Sequence, residues 1–196
     1  MDQLHRRDIF SPMLWRSNSF AAFALAIVLM SATVGEAMAA DVFYAAKFGV
    51  LAHDVPDLWS GFQLEPDAAD INIEVQFTPS IAVLGGTLRP AIGGTINTRG
   101  DTSHAYLDAR WQIDGPSGLF FGLGLGAAIH DGELTPVKPD AKALGSRVLF
   151  HIPVEAGIHL DQHNDLSVYF EHTSNAYTQD DNEGLDRIGV RYGYRF

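Results

Sequence analysis

Three residues near the C-terminus, His172, Ser174 and Asp186, have the types and spacing for acyl transfer. A serine hydroxyl becomes a nucleophile when an imidazole within hydrogen-bond reach takes its proton. A carboxylate on the far ring nitrogen then fixes the tautomer that can do so. The chain contains no cysteine, so covalent catalysis must fall to Ser, Thr or a carboxylate. Placing Ser174 opposite Asp186 across a hairpin sets His172 diagonal to Asp186, a separation a long side chain can span. Asn175, or a backbone N–H beside it, is placed to stabilise an oxyanion. By residue type alone, the plainer reading is equally open: polar side chains at the headgroup level of a membrane barrel.

The elements that must hold these groups are strands. Leu166, Val168, Phe170, His172 and Ser174 share one face of a segment read two at a time, and Asp186, Ile188, Val190, Tyr192, Tyr194 and Phe196 share one face of another. The polar residues 175–185 between them, with Asn182 and Gly184, read as a hairpin loop. Six further segments upstream alternate in the same way, at about 42–52, 70–78, 87–97, 103–113, 119–129 and 147–160. Gly122, Gly124 and Gly126 fall in the second row of the fifth segment and mark a crowded face.

Segments of about ten residues with dyad alternation suit a membrane barrel, one row facing lipid and the other a polar interior. The fold expected is therefore all-β, a single eight-stranded antiparallel transmembrane β-barrel of the outer-membrane type over residues 40–196. Its inner rows must pack Arg110, Arg147, Arg191, Arg195, Glu74, Asp108 and Glu155. Barrels of this size are filled by their own side chains, so these read as structural ion pairs, and a catalytic site belongs on the outer wall or in the loops. The turns at 114–118 and 161–164 are short and read as periplasmic. The longer connections at 53–69, 130–145 and 175–185 face outward, with the candidate triad at the outer leaflet on the lipid-facing rows. There the membrane presents the substrate and no deep pocket is needed. Trp59, Trp111, Tyr169, Tyr177, Tyr192 and Tyr194 are candidates for an interfacial aromatic belt.

Residues 1–39 read as a cleavable signal peptide: Arg6, Arg7 and Arg16, then the apolar run 20–30, then Ala37-Met38-Ala39. The apolar run is shorter than the roughly 20 residues of a spanning helix. The segment holds three basic and three acidic residues, so the 157 residues that follow keep the net charge of −11. Phosphate backbones would be repelled, which excludes nucleic acid as a partner. His53-Asp54 and His130-Asp131, with Glu133 or Asp57, could gather a divalent cation, though solvated loop acids are the commoner explanation, and no metal site is assigned.

The run His172-Thr173-Ser174-Asn175, followed by Asn182-Glu183-Gly184-Leu185-Asp186 and an aromatic-rich last strand ending at Phe196, resembles the PagL-like lipid A 3-O-deacylases, acyl hydrolases of the outer membrane. The resemblance implies that His172 and Ser174 are base and nucleophile, and that the acidic residue fourteen positions after the histidine, here Asp186 where the best-known members have Glu, completes the triad. Glu183 is the fallback. Segments 49–54 and 145–150 look like a broad branch of such proteins. The expected function is hydrolysis of an ester-linked 3-hydroxyacyl chain of lipid A through a Ser-His-Asp triad, without a cofactor. The partners implied are lipopolysaccharide in the outer leaflet and the barrel-assembly machinery, which reads the C-terminal strand. The alternatives are a non-enzymatic small barrel whose acidic loops serve binding or membrane integrity, and a phospholipase-type esterase on the same scaffold.

Overall fold

The computed structural model describes residues 42–196; the signal-peptide reading of residues 1–39 lies outside them. Alternating sequence becomes strand throughout: β1 Phe43–Ala52, β2 Ala69–Phe77, β3 Ile81–Val83, β4 Gly86–Asn97, β5 His104–Asp114, β6 Leu119–His130, β7 Val148–His159, β8 Asn164–Ser174 and β9 Leu185–Arg195. Eight of them close into an antiparallel barrel, with β1 pairing both β2 and β9 and with β2 pairing β4. Closure leaves no open sheet edge, the condition for strands to cross a bilayer.

β3 is the addition. It pairs only with the start of β4, around Leu84 and Gly85, both at positive φ (49° and 77°). This little hairpin extends the barrel at the end that also carries the turns 115–118 and 160–163 and the contact between the Phe43 and Phe196 rings. The long connections 53–68, 131–147 and 175–184, with 98–103, crown the other end, the outer one in the orientation read from loop length.

Phe48, Val50, Leu107, Leu123, Val168 and Val190 are exposed on the outer wall. Charge fills the inside. Glu74 accepts hydrogen bonds from Arg110 and Tyr106 and pairs with Arg191, and Lys47 donates to Glu155 at 2.7 Å. His151 lies between Asp108 and Glu171, while Arg187 binds Asp70 and the carbonyl of Thr102. Arg110, Arg191, Glu74, Asp108 and Glu155 are buried as their parity requires. Arg147 is not: it is the last loop residue before β7, lies exposed, and donates to the carbonyls of His130 and Gly132. Arg195 sits half-buried at the rim against Asp165. Tyr169, read as a belt residue, is fully buried in the lumen because it takes the inward parity of β8, and its hydroxyl contacts Glu171. The expected crowding at the glycine row holds at two positions. A Cβ on Gly124 would meet Pro153 at 2.6 Å and Arg110 at 2.9 Å, and one on Gly126 would collide with Asp108.

Candidate active site

β8 and β9 pair through Leu166 with Tyr192, Val168 with Val190 and Phe170 with Ile188. That apolar ladder sets the register. Continued outward, it puts His172 directly across from Asp186, not diagonal to it, and ends at Thr173 and Leu185. Side chains directly opposite start about 4.5–5.5 Å apart at Cβ, so a short carboxylate is long enough: Nδ1 of His172 lies 2.6 Å from Oδ1 of Asp186. Ser174 stands just past the ladder, its Oγ 2.9 Å from Nε2 of the same ring. Gly184 ends the loop at φ 65°, and a Cβ there would sit 3.1 Å from Cε1 of His172.

Lower on this row Leu166 and Val168 are about half exposed, whereas Ser174, His172 and Asp186 are 8%, 4% and 0% exposed. The difference comes from the crown. The β1–β2 loop crosses the row and lays the Trp59 indole on the imidazole, with ring centroids 4.5 Å apart and planes 10° from parallel. Ser60, next in sequence, donates to Oδ2 of Asp186 from its N–H at 2.6 Å and from its hydroxyl at 3.0 Å. The site is therefore a roofed cavity of about 450 Å³ and not an open stretch of wall. Its walls include Trp59, Phe62, Phe150, Ile152, Ser174 and Asn182. Neither Trp59 nor Ser60 is marked in the sequence by a spacing that ties it to the hairpin.

Asn175 is buried, and its amide is spent on architecture. It donates to the carbonyls of Leu144 at 2.9 Å and Asp181 at 2.5 Å, and accepts from Thr178. Gly145 is needed beside it, since at φ 71° a Cβ would collide with Asp181 and lie 2.5 Å from the Asn175 amide. The backbone N–H of Asn175 donates to Oδ1 of Asn182 at 2.8 Å. That holds the side chain of Asn182, which lines the same cavity. Glu183 turns to the β6–β7 loop, accepting from the N–H of Ala143 at 2.5 Å, so the carboxylate at His172 is Asp186.

The paired His-Asp positions in the loops hold the crown together. His53 lies between Asp70 and Glu65, 2.7 Å from each. Burial opposes its charge, but the two carboxylate hydrogen bonds prevail and raise its pKa. Burial likewise opposes the charge of Glu65, while hydrogen bonds from His53 and Thr102 lower its pKa to about 2. Asp54 pairs with the buried Lys142 at 2.8 Å and caps the N–H groups of Leu64 and Glu65. Asp131 accepts from the N–H of Ser103, and Glu133 pairs with Lys138. In the lumen, His104, His151 and Glu171 come together. Arg187 donates to Nδ1 of His104 at 2.9 Å, which keeps the proton on Nε2, 3.5 Å from Glu171. That is an ion-pair network, not a ligand set with free lone pairs.

A transmembrane β-barrel with a Ser–His–carboxylate hydrogen-bonded series at its loop-bearing end is the class of molecule these observations define. A model of the family described as lipid A 3-O-deacylase (PagL) matches residues 87–195, more than half of the chain. The chain belongs to that family. Among solved structures, the crystal structure of the outer-membrane enzyme PagL aligns over 79% of this chain and 99% of its own, at 17% identity and a TM-score of 0.55, a likeness of fold. Neisserial surface protein A aligns over 79% and 97% at 11% identity and a TM-score of 0.49, and a de novo designed transmembrane β-barrel over 78% and 95% at 11% and 0.46. No curated protein matches the chain.

Proposed function

We propose that this protein hydrolyses an ester-linked 3-hydroxyacyl chain of lipid A, with Ser174 as nucleophile, His172 as general base and then general acid, and Asp186 as the group that orients the imidazole. The observation that carries the reading is the relay itself, 2.6 Å from Asp186 to His172 and 2.9 Å from His172 to Ser174, in a cavity walled by apolar side chains at the outer end of a lipid-embedded barrel. Oγ of Ser174 attacks the ester carbonyl as its proton passes to Nε2. Collapse of the tetrahedral intermediate breaks the bond to the sugar oxygen, which leaves with the proton from Nε2, and the acyl group stays on Ser174. Water, deprotonated by the same nitrogen, then attacks the acyl-serine. It releases the hydroxy acid and returns the proton to Oγ.

The oxyanion needs donors already in place. Asn182 is the better placed of the two asparagines, because the NH2 of Asn175 is occupied by two carbonyls while Asn182 lines the cavity. Asn175 supports it through the N–H that holds Oδ1 of Asn182. Phe150, Ile152 and Phe62 offer the acyl chain an apolar wall continuous with the lipid.

A long-chain alkyl fluorophosphonate tests the nucleophile. The folded native protein gains the mass of one alkylphosphonyl group on the peptide containing Ser174, and Ser174→Ala gains none. A folded native protein that resists the reagent, or labels elsewhere, would overturn the assignment of Ser174.

A further inference from the structure

The β1–β2 loop lies wholly outside residues 87–195, the part of the chain that the family model matches, yet it touches two of the three relay residues. Its shape is built for that contact. Asp54 and Asp57 take positive φ near one end and Gly61 near the tip. The Asp54 carboxylate ties residue 54 to the N–H groups of residues 64 and 65, closing the loop on itself. Lys142, fully buried, then pins it from the neighbouring loop by donating to the carbonyl of Phe62 at 2.6 Å and pairing with Asp54. A third tie runs to the relay, from the N–H of Val55 to the backbone carbonyl of Asp186 at 3.0 Å.

We propose, resting on the hydrolase reading above, that Trp59 and Ser60 are positioning residues of the relay: Ser60 fixes the Asp186 carboxylate, and the Trp59 indole face holds and stabilises the His172 imidazolium. In the relay, Oδ1 of Asp186 faces the imidazole and Oδ2 is free to swing unless something holds it. The two donors of Ser60 hold it, so the directly opposed aspartate keeps the line of its bond to Nδ1. Imidazole becomes a cation when it takes the proton from Ser174, and an indole face, negative by its quadrupole, attracts a cation within about 6 Å of its centroid. Here the centroids are 4.5 Å apart in a stack 10° from parallel. Trp59 is itself 59% exposed. One face of its ring covers the imidazole, which is only 4% exposed, so it also keeps water from the base.

The test uses the full barrel refolded in detergent, with 15N-labelled histidine. The His172 signals are assigned by their loss in His172→Gln, and the acyl release rate is measured on lipid A micelles in parallel. The other ionisable groups around the ring, Asp186 on β9 and Glu183 in the cavity wall, are unchanged in the variants. For Trp59→Leu the His172 ring 15N signals, a single set in the native protein, broaden or split as the ring loses its stacking partner. kcat falls while KM stays within twofold, and Trp59→Phe restores most of both. For Ser60→Ala kcat falls by roughly tenfold, as expected for one donor lost from a charged acceptor, again without a matching rise in KM. A Trp59→Leu protein with native His172 ring signals, or one whose loss lies wholly in KM, would reduce Trp59 to an acyl contact and overturn its part. Ser60→Ala at native kcat would overturn the other. If the native protein releases no acyl chain, the hydrolase reading fails by itself, and the His172 ring signals in native protein and Trp59→Leu still decide whether the indole holds the imidazole.

Discussion

Replacing Asp186 by Asn keeps the shape of the side chain and exchanges one oxygen for an amide nitrogen. Ser60 decides which one. Its N–H and hydroxyl both donate to Oδ2, at 2.6 and 3.0 Å, so the Asn carbonyl takes that side and its NH2 turns to Nδ1 of His172. Nδ1 must then accept, Nε2 keeps the proton, and Ser174 loses its base. Flipping the amide to recover the working tautomer points NH2 at two donors and sacrifices about 1–3 kcal/mol of hydrogen bonding. The charge-assisted bond that steadies the imidazolium, 2.6 Å in the native protein, is lost as well, roughly another 1.5–3 kcal/mol. Together these raise the barrier by about 2.5–6 kcal/mol, a fall in kcat of roughly seventyfold to twenty-five-thousandfold. The assay is release of 3-hydroxy fatty acid from lipid A micelles, followed by gas chromatography and mass spectrometry. Heat-modifiable gel mobility shows that the variant barrel is folded. A folded Asp186→Asn protein that keeps a third or more of native kcat would refute the relay argument.

Three other perturbations probe the scaffold. The raised pKa of His53 contributes stability that is present below its ordinary value of 6.5 and lost as pH rises through the folded value; the lowered pKa of Glu65 contributes stability present above 4.5 and lost as pH falls towards about 2. Loop 53–68 is therefore held most firmly between about pH 4.5 and 6.5, and its amide exchange, corrected for intrinsic rates, should be slower at pH 5.5 than at pH 8.5; equal protection would contradict this. Glu74→Gln leaves Arg110 and Arg191 without their shared carboxylate and should lower stability against urea by about 3–5 kcal/mol, read as a shifted unfolding midpoint in lipid vesicles. Val168→Arg, in the middle of β8 and 54% exposed on the outer wall, should lower the same stability by about 2–4 kcal/mol if that wall faces lipid. No loss would place the wall in water.

The strands were legible because one row faces lipid and the other a packed interior, so the period of two survives almost unbroken in each. β3 escaped because three exposed residues, Ile81–Val83, cannot show a period, and because its turn places Leu84 at φ 49° where glycine or asparagine would have announced it. Parity also located His172, Ser174 and Asp186 on one row. It could not fix their register, which depends on where the apolar ladder of β8 and β9 stops; and it puts Tyr169 inside, against the belt reading, which rests on residue type alone. The roof was illegible. Trp59 and Ser60 reach the site through a chain of contacts involving Asp54, Lys142 and the backbone of Asp186. Nothing in the spacing of residues 53–68 relates them to a hairpin more than a hundred residues later. Asn182 was visible only as a turn residue, and its orientation depends on the Asn175 N–H.

We propose that this barrel removes an acyl chain from lipid A through Ser174. The most direct test is mass spectrometry of lipid A from cells that make the native chain, beside cells that make Ser174→Ala at equal outer-membrane abundance, in a host whose lipid A carries the 3-O-linked hydroxyacyl group. Lipid A is expected to lose the mass of that one group with the native chain and to stay unaltered with the variant. Unaltered lipid A in both, with the native barrel folded in the membrane, or equal loss in both, would contradict it.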